Sequence, residues 1–457
     1  MTNPTTPSQS PRRAPDRCPQ AVNVLLIGGG GREHALAWKL SQSPRLGTLW
    51  ATHCTNPGIA ALARHCDQEL DPRATWHLEN WCEQNDIHLV VVGPEAPLAE
   101  GIADRLSVEG KRYVVGPTKA GARIEWDKAW AKQLMRSAAV PTAEARAFQR
   151  HEQALEYVST REFPPVIKAS GLAAGKGVIV PETMEQAIEA LDRIMVQNEF
   201  GKAGQTVLVE ERLHGPEVSI MALVDGKTIY ILDSAQDHKR LGEGDAGPNT
   251  GGMGAYSPAS GVLDDETLGI IQQTILVPVL DALRREEIDY RGVLYAGLML
   301  THAGPKVLEF NCRFGDPECQ PLMARMKADL VEVLWATATG HLEDVQIDWD
   351  ERCACCVVLA SDGYPGKYET GREISGLDEL SGQDDVFAFH AGTACDAKSG
   401  QIVTAGGRVL GITALADSLE QARQRANEVC ERVSFKGAYH RRDIGSSALA
   451  GHCTTGE

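Results

Sequence analysis

The chain lacks any apolar run near the roughly 20 residues that cross a bilayer. Its first residues, rich in Pro, Ser, Thr and Arg, also lack the apolar core of a secretion signal. The two absences predict a cytoplasmic protein with no membrane partner and with a disordered extension over 1–20. Positive charge is scarce: 45 Lys and Arg stand against 62 Asp and Glu, a net charge of −17. Phosphate backbones need a basic face, so a general nucleic-acid binder is excluded. Small phosphorylated ligands are not, provided that cations gather locally against the average field. Paired cysteines are missing too. The 12 thiols are scattered, and the one CxxC spacing, Cys353 to Cys356, has no second pair and runs on as the apolar Val357-Val358-Leu359. A lone pair cannot close a tetrahedral zinc shell, so these read as reduced, buried small hydrophobes. No internal repeat is evident.

What is present is the profile of a soluble globular protein, 43% hydrophobic and 23% charged over 457 residues, which suggests about three domains. The expected division is 21–121, 122–344 with a lid subdomain over about 142–213, and 345–457. The first segment opens with the apolar run Val24 to Ile27, enters Gly28-Gly29-Gly30-Gly31 and continues as a helical pattern from Glu33 to Ser41. Strand, glycine turn and helix in that order predict an open parallel α/β sheet. Ligands of such sheets gather beyond the carboxyl ends of the strands, which places Gly28 to Arg32 and Gly93 to Glu95 on one rim. In the second segment Trp126, Trp130 and Leu134 recur every four residues, predicting one helix face with Lys128 and Lys132 off it. Strands over 165–169, 178–180, 206–210, 217–224, 227–233, 293–300 and 306–311 follow, with helices over 184–197 and 264–285. The third segment ends in a helix capped by Ser418 with Gln421, its apolar stripe being Ala422, Ala426, Val429 and Val433.

The sharpest chemistry lies in Glu309-Phe310-Asn311-Cys312-Arg313-Phe314-Gly315-Asp316-Pro317-Glu318. Strand alternation puts Glu309 and Asn311 on one face and Leu308 and Phe310 on the other. A carboxylate beside an amide oxygen makes a pair of hard ligands suited to magnesium that phosphates also hold. Arg313 can grip a phosphate or carboxylate in a bidentate fork. A solvated strand end would account for Glu309 alone but poorly for the ordered set. Upstream, Lys168 precedes Gly171-Leu172-Ala173-Ala174-Gly175-Lys176-Gly177. This fails as a P-loop, because no Ser or Thr follows Lys176 and a strand follows instead of a helix. Three glycines flanked by two lysines fit a hairpin that closes over phosphates better than a plain turn. The acidic strand end at Glu210 and Glu211, with Leu213 and Glu217, is a weak signal by itself, a surface patch serving equally well. The charged cluster 236–240 running into the glycine-rich 247–256 fits close backbone approach to a ligand better than a linker.

In series these segments resemble the ATP-grasp family, and within it the phosphoribosylamine–glycine ligases of purine biosynthesis. The motifs that carry the likeness lie at 30–35, 92–98, 171–178, 236–240, 247–256, 309–318, 390–393 and 406–410. The resemblance implies a Rossmann-like N-terminal domain, a central ATP-grasp domain of two α+β subdomains and a smaller C-terminal α+β domain. It implies that ATP, glycine and 5-phosphoribosylamine give ADP, phosphate and glycinamide ribonucleotide through glycyl phosphate, with Mg2+ or Mn2+ as cofactor. By position it assigns ATP to Lys128, Lys168, Gly171, Gly175, Lys176, Gly177, Glu210, Glu211, Leu213, Glu217, Arg240 and Asn249. Glu309 and Asn311 fall on the metal ligands, and Arg313, Lys176 and Asp316 on catalytic positions. The small substrates fall to Gly29, Gly30, Gly31, Arg32, Pro94, Glu95, Asp237, Lys239, Thr250, Gly251, Gly252, Arg313 and Gly315. A monomer, or at most a weak dimer, is expected. The chain departs from the pattern twice. Tyr295-Ala296-Gly297-Leu298 offers no further metal carboxylate, and Trp126-Asp127 precedes the first lysine where a small residue is usual, although Asp127 can still cap the helix. A nicotinamide-dependent oxidoreductase is disfavoured because GxGxxG would need glycine at Glu33 or His34. A carboxylase-type purine enzyme is disfavoured by 236–256, and a silent nucleotide-binding regulator by the survival of Lys168, Lys176, Glu309 and Asn311.

Overall fold

The computed structural model describes residues 18–451 apart from 69, 72, 73, 174–176, 260 and 381. Most of the expected extension, and Gly175 and Lys176 of the expected phosphate clamp, thus lie outside the described residues. Five parallel strands form the N-terminal sheet in the order Arg64–His65, Leu46–Ala51, Val22–Ile27, Leu89–Val92, Tyr113–Val115. Burial on both faces explains why Leu89–Val92 is apolar throughout rather than alternating. The strand order reverses between Val22–Ile27 and Leu89–Val92, whose ends Ile27 and Val92 lie side by side. The crevice this opens is where Gly28 to Arg32 and Gly93 to Glu95 leave the sheet. Gly28 sits at φ +116°, and a Cβ there would lie 2.7 Å from Glu33 Cγ, so only glycine fits the turn.

The central region holds two four-stranded sheets. One is antiparallel, in the order Ala145–Phe148, Val207–Glu210, Val166–Ala169, Val178–Ile179, and closes its own core around Ile167, Leu191, Ile194 and Val209. The other runs Ile229–Ile231, Glu217–Asp225, Arg291–Thr301, Gly304–Asn311. A six-stranded sheet serves the C-terminal region, with Gln236–Asp237 and Gly254–Ser257 from mid-chain completing it beside Cys353–Ser361, Arg408–Ala416, Val386–His390 and Ala438–Tyr439. The glycine-rich stretch is therefore ordered by pairing: Arg240–Gly242 and Ala246–Asn249 make a ribbon, and Gly254 opposes Val357. Cys353 and Cys356, three apart on one strand, point to opposite faces.

The expected continuous helix through Trp126 is two, Lys119–Trp126 and Lys128–Ser137, broken at Asp127. Asp127 leaves helical geometry to cap the second, accepting from the Trp130 N–H at 3.1 Å. Lys132, expected off the apolar face, is buried at 5% exposure because its partner is buried with it. The helices over 184–197 and 264–285 each pass through a wider turn, Asp192–Val196 and Gln272–Leu276. Ser418 caps Leu419–Arg432 as expected, accepting from Gln421 N–H at 3.3 Å. Among the described residues no helix is long and apolar enough to cross a membrane.

Candidate active site

Strand Gly304–Asn311 runs antiparallel to Arg291–Thr301, with a register slip that leaves Leu308 as a bulge. Beyond the slip Glu309 opposes Gly297 and Asn311 opposes Tyr295, so the two share a face while Phe310 enters the core at 3% exposure. Leu308 therefore falls outside the simple alternation. Its carbonyl accepts from Lys168 Nζ at 3.0 Å.

Cations gather around Glu309. Lys239 Nζ lies 3.7 Å from its carboxylate and 3.3 Å from that of Glu217. Burial alone would raise the Glu309 carboxyl, but Lys239, Lys168, Lys128 and Arg313 together hold it below its usual value. Burial likewise opposes the charge of Lys239, yet Asp237, Glu217 and Glu309 keep its ammonium well above the ordinary range. Asp237 is driven the other way: burial, then Glu318, Glu217 and Glu309, push it up to about 7 against the pull of Lys239. Here are the local cations that the net charge required.

Glu309 and Asn311 present hard oxygen donors side by side, and Glu309 remains 30% exposed to the cleft. Among the described residues no cluster of three or more His, Cys, Asp or Glu side chains is placed to hold a metal. The cross-strand neighbour of Glu309 is Gly297. The donor set thus fits magnesium only as a two-point anchor, the rest of its shell coming from phosphates and water.

Three further lysines, Lys128, Lys132 and Lys168, rise from two elements, helix Lys128–Ser137 and strand Val166–Ala169. Lys168 Nζ pairs with Glu210 Oε2 at 2.8 Å, and Lys132 Nζ lies 3.3 Å from Glu210 Oε1. All three side chains are buried. Both carboxylate oxygens of Glu210, at the end of Val207–Glu210, thus face a lysine ammonium. Lys128 Nζ donates to the Gly171 carbonyl at 3.3 Å, tying the start of its helix to the base of the glycine hairpin. Burial lowers the Lys128 ammonium, offset in part by Glu309. Glu211 accepts from Lys306 at 3.1 Å, and Leu213 stands half-buried beyond it.

Arg313 turns back across the strand end. Its Nη2 donates to Glu125 at 2.9 Å and to Asn311 Oδ1 at 3.3 Å, and its Nε lies 3.6 Å from Glu95 of the N-terminal sheet. Burial opposes the guanidinium charge, but Glu125 and Glu95 raise its affinity for the proton further. After Gly315, where a Cβ would meet Glu318 Oε2 at 2.4 Å, Asp316 is held by Arg408 Nη2 at 3.0 Å and Gln320 Nε2 at 2.9 Å. The glycine turn meets this segment directly. Arg32 Nη1 donates to the Phe314 carbonyl at 3.1 Å, and a Cβ on Gly30 would lie 3.6 Å from Asp316 Oδ2. Gly29 accepts at its carbonyl from Asn56, which also grips the His390 carbonyl at 2.7 Å. Pro94 packs under Gly28.

Thr250 accepts at Oγ1 from the Gly252 N–H at 3.0 Å and donates to the Lys239 carbonyl, while Gly251 donates to Tyr364 Oη at 2.9 Å. Arg240 and Asn249 face each other on their ribbon, and the Arg240 guanidinium donates to Gly247. Among the described residues, neither of these two makes a hydrogen bond or ion pair with the Glu309 cluster. A Cβ on Gly31 would lie 2.8 Å from Gln320 Nε2 and 3.9 Å from Asp316 Oδ1, and one on Gly177 would lie 2.6 Å from Ala173 Cβ. Glu125, Lys132, Arg408 and Tyr364 were not singled out from the sequence. Arg408 lay inside a glycine motif, and Lys132 one turn beyond Lys128; nothing local marked Glu125.

Three family models match nearly the whole chain: the phosphoribosylglycinamide synthetase N domain over residues 22–125, its ATP-grasp (A) domain over 126–319 and its C domain over 354–447. A phosphoribosylamine–glycine ligase of Rhodopirellula baltica is 49% identical over 93% of this chain and 98% of its own. The crystal structure of the Thermotoga maritima phosphoribosylamine–glycine ligase superposes with a TM-score of 0.76 at 31% identity, covering 93% of this chain and 100% of that one. A biotin carboxylase domain from Hydrogenobacter thermophilus, solved with the magnesium salt of ADP, shares the fold at 16% identity, with a TM-score of 0.64 over 92% and 91% of the chains. The chain belongs to the phosphoribosylglycinamide synthetase family of ATP-grasp enzymes.

Proposed function

We propose that this cleft joins glycine to 5-phosphoribosylamine at the expense of ATP, a step of purine biosynthesis, with the residue roles that the family resemblance assigns by position. The observation that carries the reading is the convergence of Glu309, Asn311 and Arg313 on one strand end. Lys239 stands beside them, and Glu95 of the glycine-turn rim lies 3.6 Å from Arg313. ATP lies between the two central sheets. The strand end at Glu210 and Glu211 borders the adenine, Leu213 covers the base, and Glu217 takes the ribose hydroxyls. Lys128 and Lys168 neutralise the phosphates. Gly171, Gly175, Lys176 and Gly177 close over them, with Arg240 and Asn249 as outer contacts. Glu309 and Asn311 would hold magnesium, or manganese, which would supply positive charge to neutralise the phosphates during transfer.

Glycine's carboxylate attacks the γ-phosphorus, the bond to ADP breaks, and glycyl phosphate forms. The phosphoribosylamine nitrogen then attacks the carbonyl carbon and phosphate leaves. Arg313, with Lys176, stabilises the anion that builds in both steps, and Asp316 borders the carbonyl. The N-terminal turn Gly29 to Arg32, with Pro94 and Glu95, holds phosphoribosylamine. Asp237, Lys239, Thr250, Gly251, Gly252 and Gly315 shape the wall between the two small substrates. Hairpin closure excludes the water that would hydrolyse the acyl phosphate. The enzyme works in the cytoplasm as a monomer or a weak dimer. The test is ADP formation with purified protein, omitting one substrate at a time. Turnover that needs all three supports the reading; ADP formed equally fast without glycine or without phosphoribosylamine overturns it.

A further inference from the structure

One buried carboxylate beside the reacting groups has no part in the scheme above. Glu125, 7% exposed, lies next to the last residue of helix Lys119–Trp126, three residues before Lys128. Its Oε1 accepts from Arg313 Nη2 at 2.9 Å. Its Oε2 accepts from the Cys312 backbone N–H at 2.8 Å and from the Cys312 thiol at 3.1 Å. A single carboxylate thus fixes the backbone at 312 and the guanidinium at 313. Because the same Nη2 also donates to Asn311 Oδ1 at 3.3 Å, the chain of contacts runs from Glu125 through Arg313 to the metal anchor. Arg313 Nη1 donates to the Phe314 carbonyl at 3.3 Å, and Nε is buried with no hydrogen-bond partner. Three of the five N–H groups are therefore pinned, the Nε–H faces Glu95 at 3.6 Å, and the second N–H on Nη1 is left for an anion. Arginine is a long side chain, and a charge displaced by about 1 Å from a reacting group loses on the order of a hundredfold in rate.

We infer that Glu125 is a positioning residue, which touches no substrate and holds Arg313 in the orientation that the acyl phosphate requires. The inference rests on the proposed role of Arg313. It also gives the junction of the N and ATP-grasp domains, which falls at residues 125 and 126, a function in catalysis.

The experiment is a double-mutant cycle of Glu125→Gln and Arg313→Lys, read as kcat and KM on the folded protein. Glu125→Gln keeps an acceptor for Cys312 but loses the charge-assisted contact. Alone it is expected to lower kcat about 10- to 100-fold with KM for ATP within twofold. In the Arg313→Lys background it should cost less than about threefold, because the group it positions is already gone. Glu125→Asp, which keeps the charge on a shorter arm, should recover part of kcat. Equal losses in both backgrounds, or a lower melting temperature with kcat intact, overturn the inference. Unchanged turnover in Arg313→Lys alone overturns the reading of Arg313 itself, and the inference with it.

Discussion

Gly297 lies directly across the antiparallel ladder from Glu309, and a Cβ built on it would sit 3.4 Å from Glu309 Cγ. Gly297 brings no carboxylate to that position, so in the proposed anchor of Glu309 and Asn311 the charge is carried by Glu309 alone. Glu309→Ala is accordingly expected to cut turnover by at least about 10²–10³-fold, at any magnesium concentration. Because the side chain is 30% exposed, the melting temperature should move little. Steady-state assays with a thermal melt check both; near-normal turnover removes the metal assignment.

Glu210 is expected to matter for stability as much as for ATP. It pairs with Lys168 at 2.8 Å and Lys132 at 3.3 Å in a setting where all three side chains are 7% exposed or less. Removing the central partner leaves two buried ammonium groups without their counter-charge. Glu210→Ala should cost about 3–5 kcal/mol, read as a fall in the urea midpoint. A loss under about 1 kcal/mol would mean that water reaches the lysines.

Arg408 carries the C-terminal region into the cleft. Its Nη1 donates to the carbonyls of Gly251 at 2.6 Å and Asp316 at 2.7 Å, and its Nη2 to Asp316 Oδ2 at 3.0 Å. Arg408→Met should lower kcat/KM for glycine and phosphoribosylamine by about 10- to 100-fold, as expected when several charge-assisted contacts are lost together. ATP affinity, set elsewhere, should stay within about twofold. Kinetics with each substrate varied in turn, beside an ATP titration, separate the two; equal losses for all three substrates would contradict the assignment.

Acid should loosen the contact between the N-terminal and C-terminal regions. His34 Nδ1 accepts from the His390 N–H at 2.8 Å, an arrangement that needs an unprotonated ring nitrogen. Burial, then His390, lowers His34 from 6.5 to about 3, and burial lowers His390 to about 4. Below 6.5 the unfolded chain binds protons that the native one refuses, so stability is present above that pH and is lost as pH falls towards 4. The slope is up to about 1.4 kcal/mol per pH unit for each histidine. Urea midpoints measured across this window should fall with acid, and less steeply in His34→Asn; a flat profile contradicts the account.

Strand alternation made Glu309 and Asn311 legible as a pair, and the apolar run into four glycines made the N-terminal turn legible. The bulge at Leu308 was not, since it answers to a register with Arg291–Thr301 that local pattern does not encode. Lys132 looked like a surface lysine because its partner Glu210 is distant in sequence. The stretch 247–256 showed no strand because glycine density hides two of them, one pairing with Arg240–Gly242 and the other with Cys353–Ser361. Glu125 was invisible for the same reason: its meaning comes from Arg313, which the fold alone brings within 2.9 Å.

In the proposed reaction glycine's carboxylate attacks the γ-phosphorus in this cleft. Glycine labelled with ¹⁸O in its carboxylate tests it directly, with the released phosphate read by mass spectrometry. Attack through carboxylate oxygen leaves one label in each phosphate and one in the glycinamide product. Unlabelled phosphate from a reaction that still consumes glycine and ATP would contradict the account.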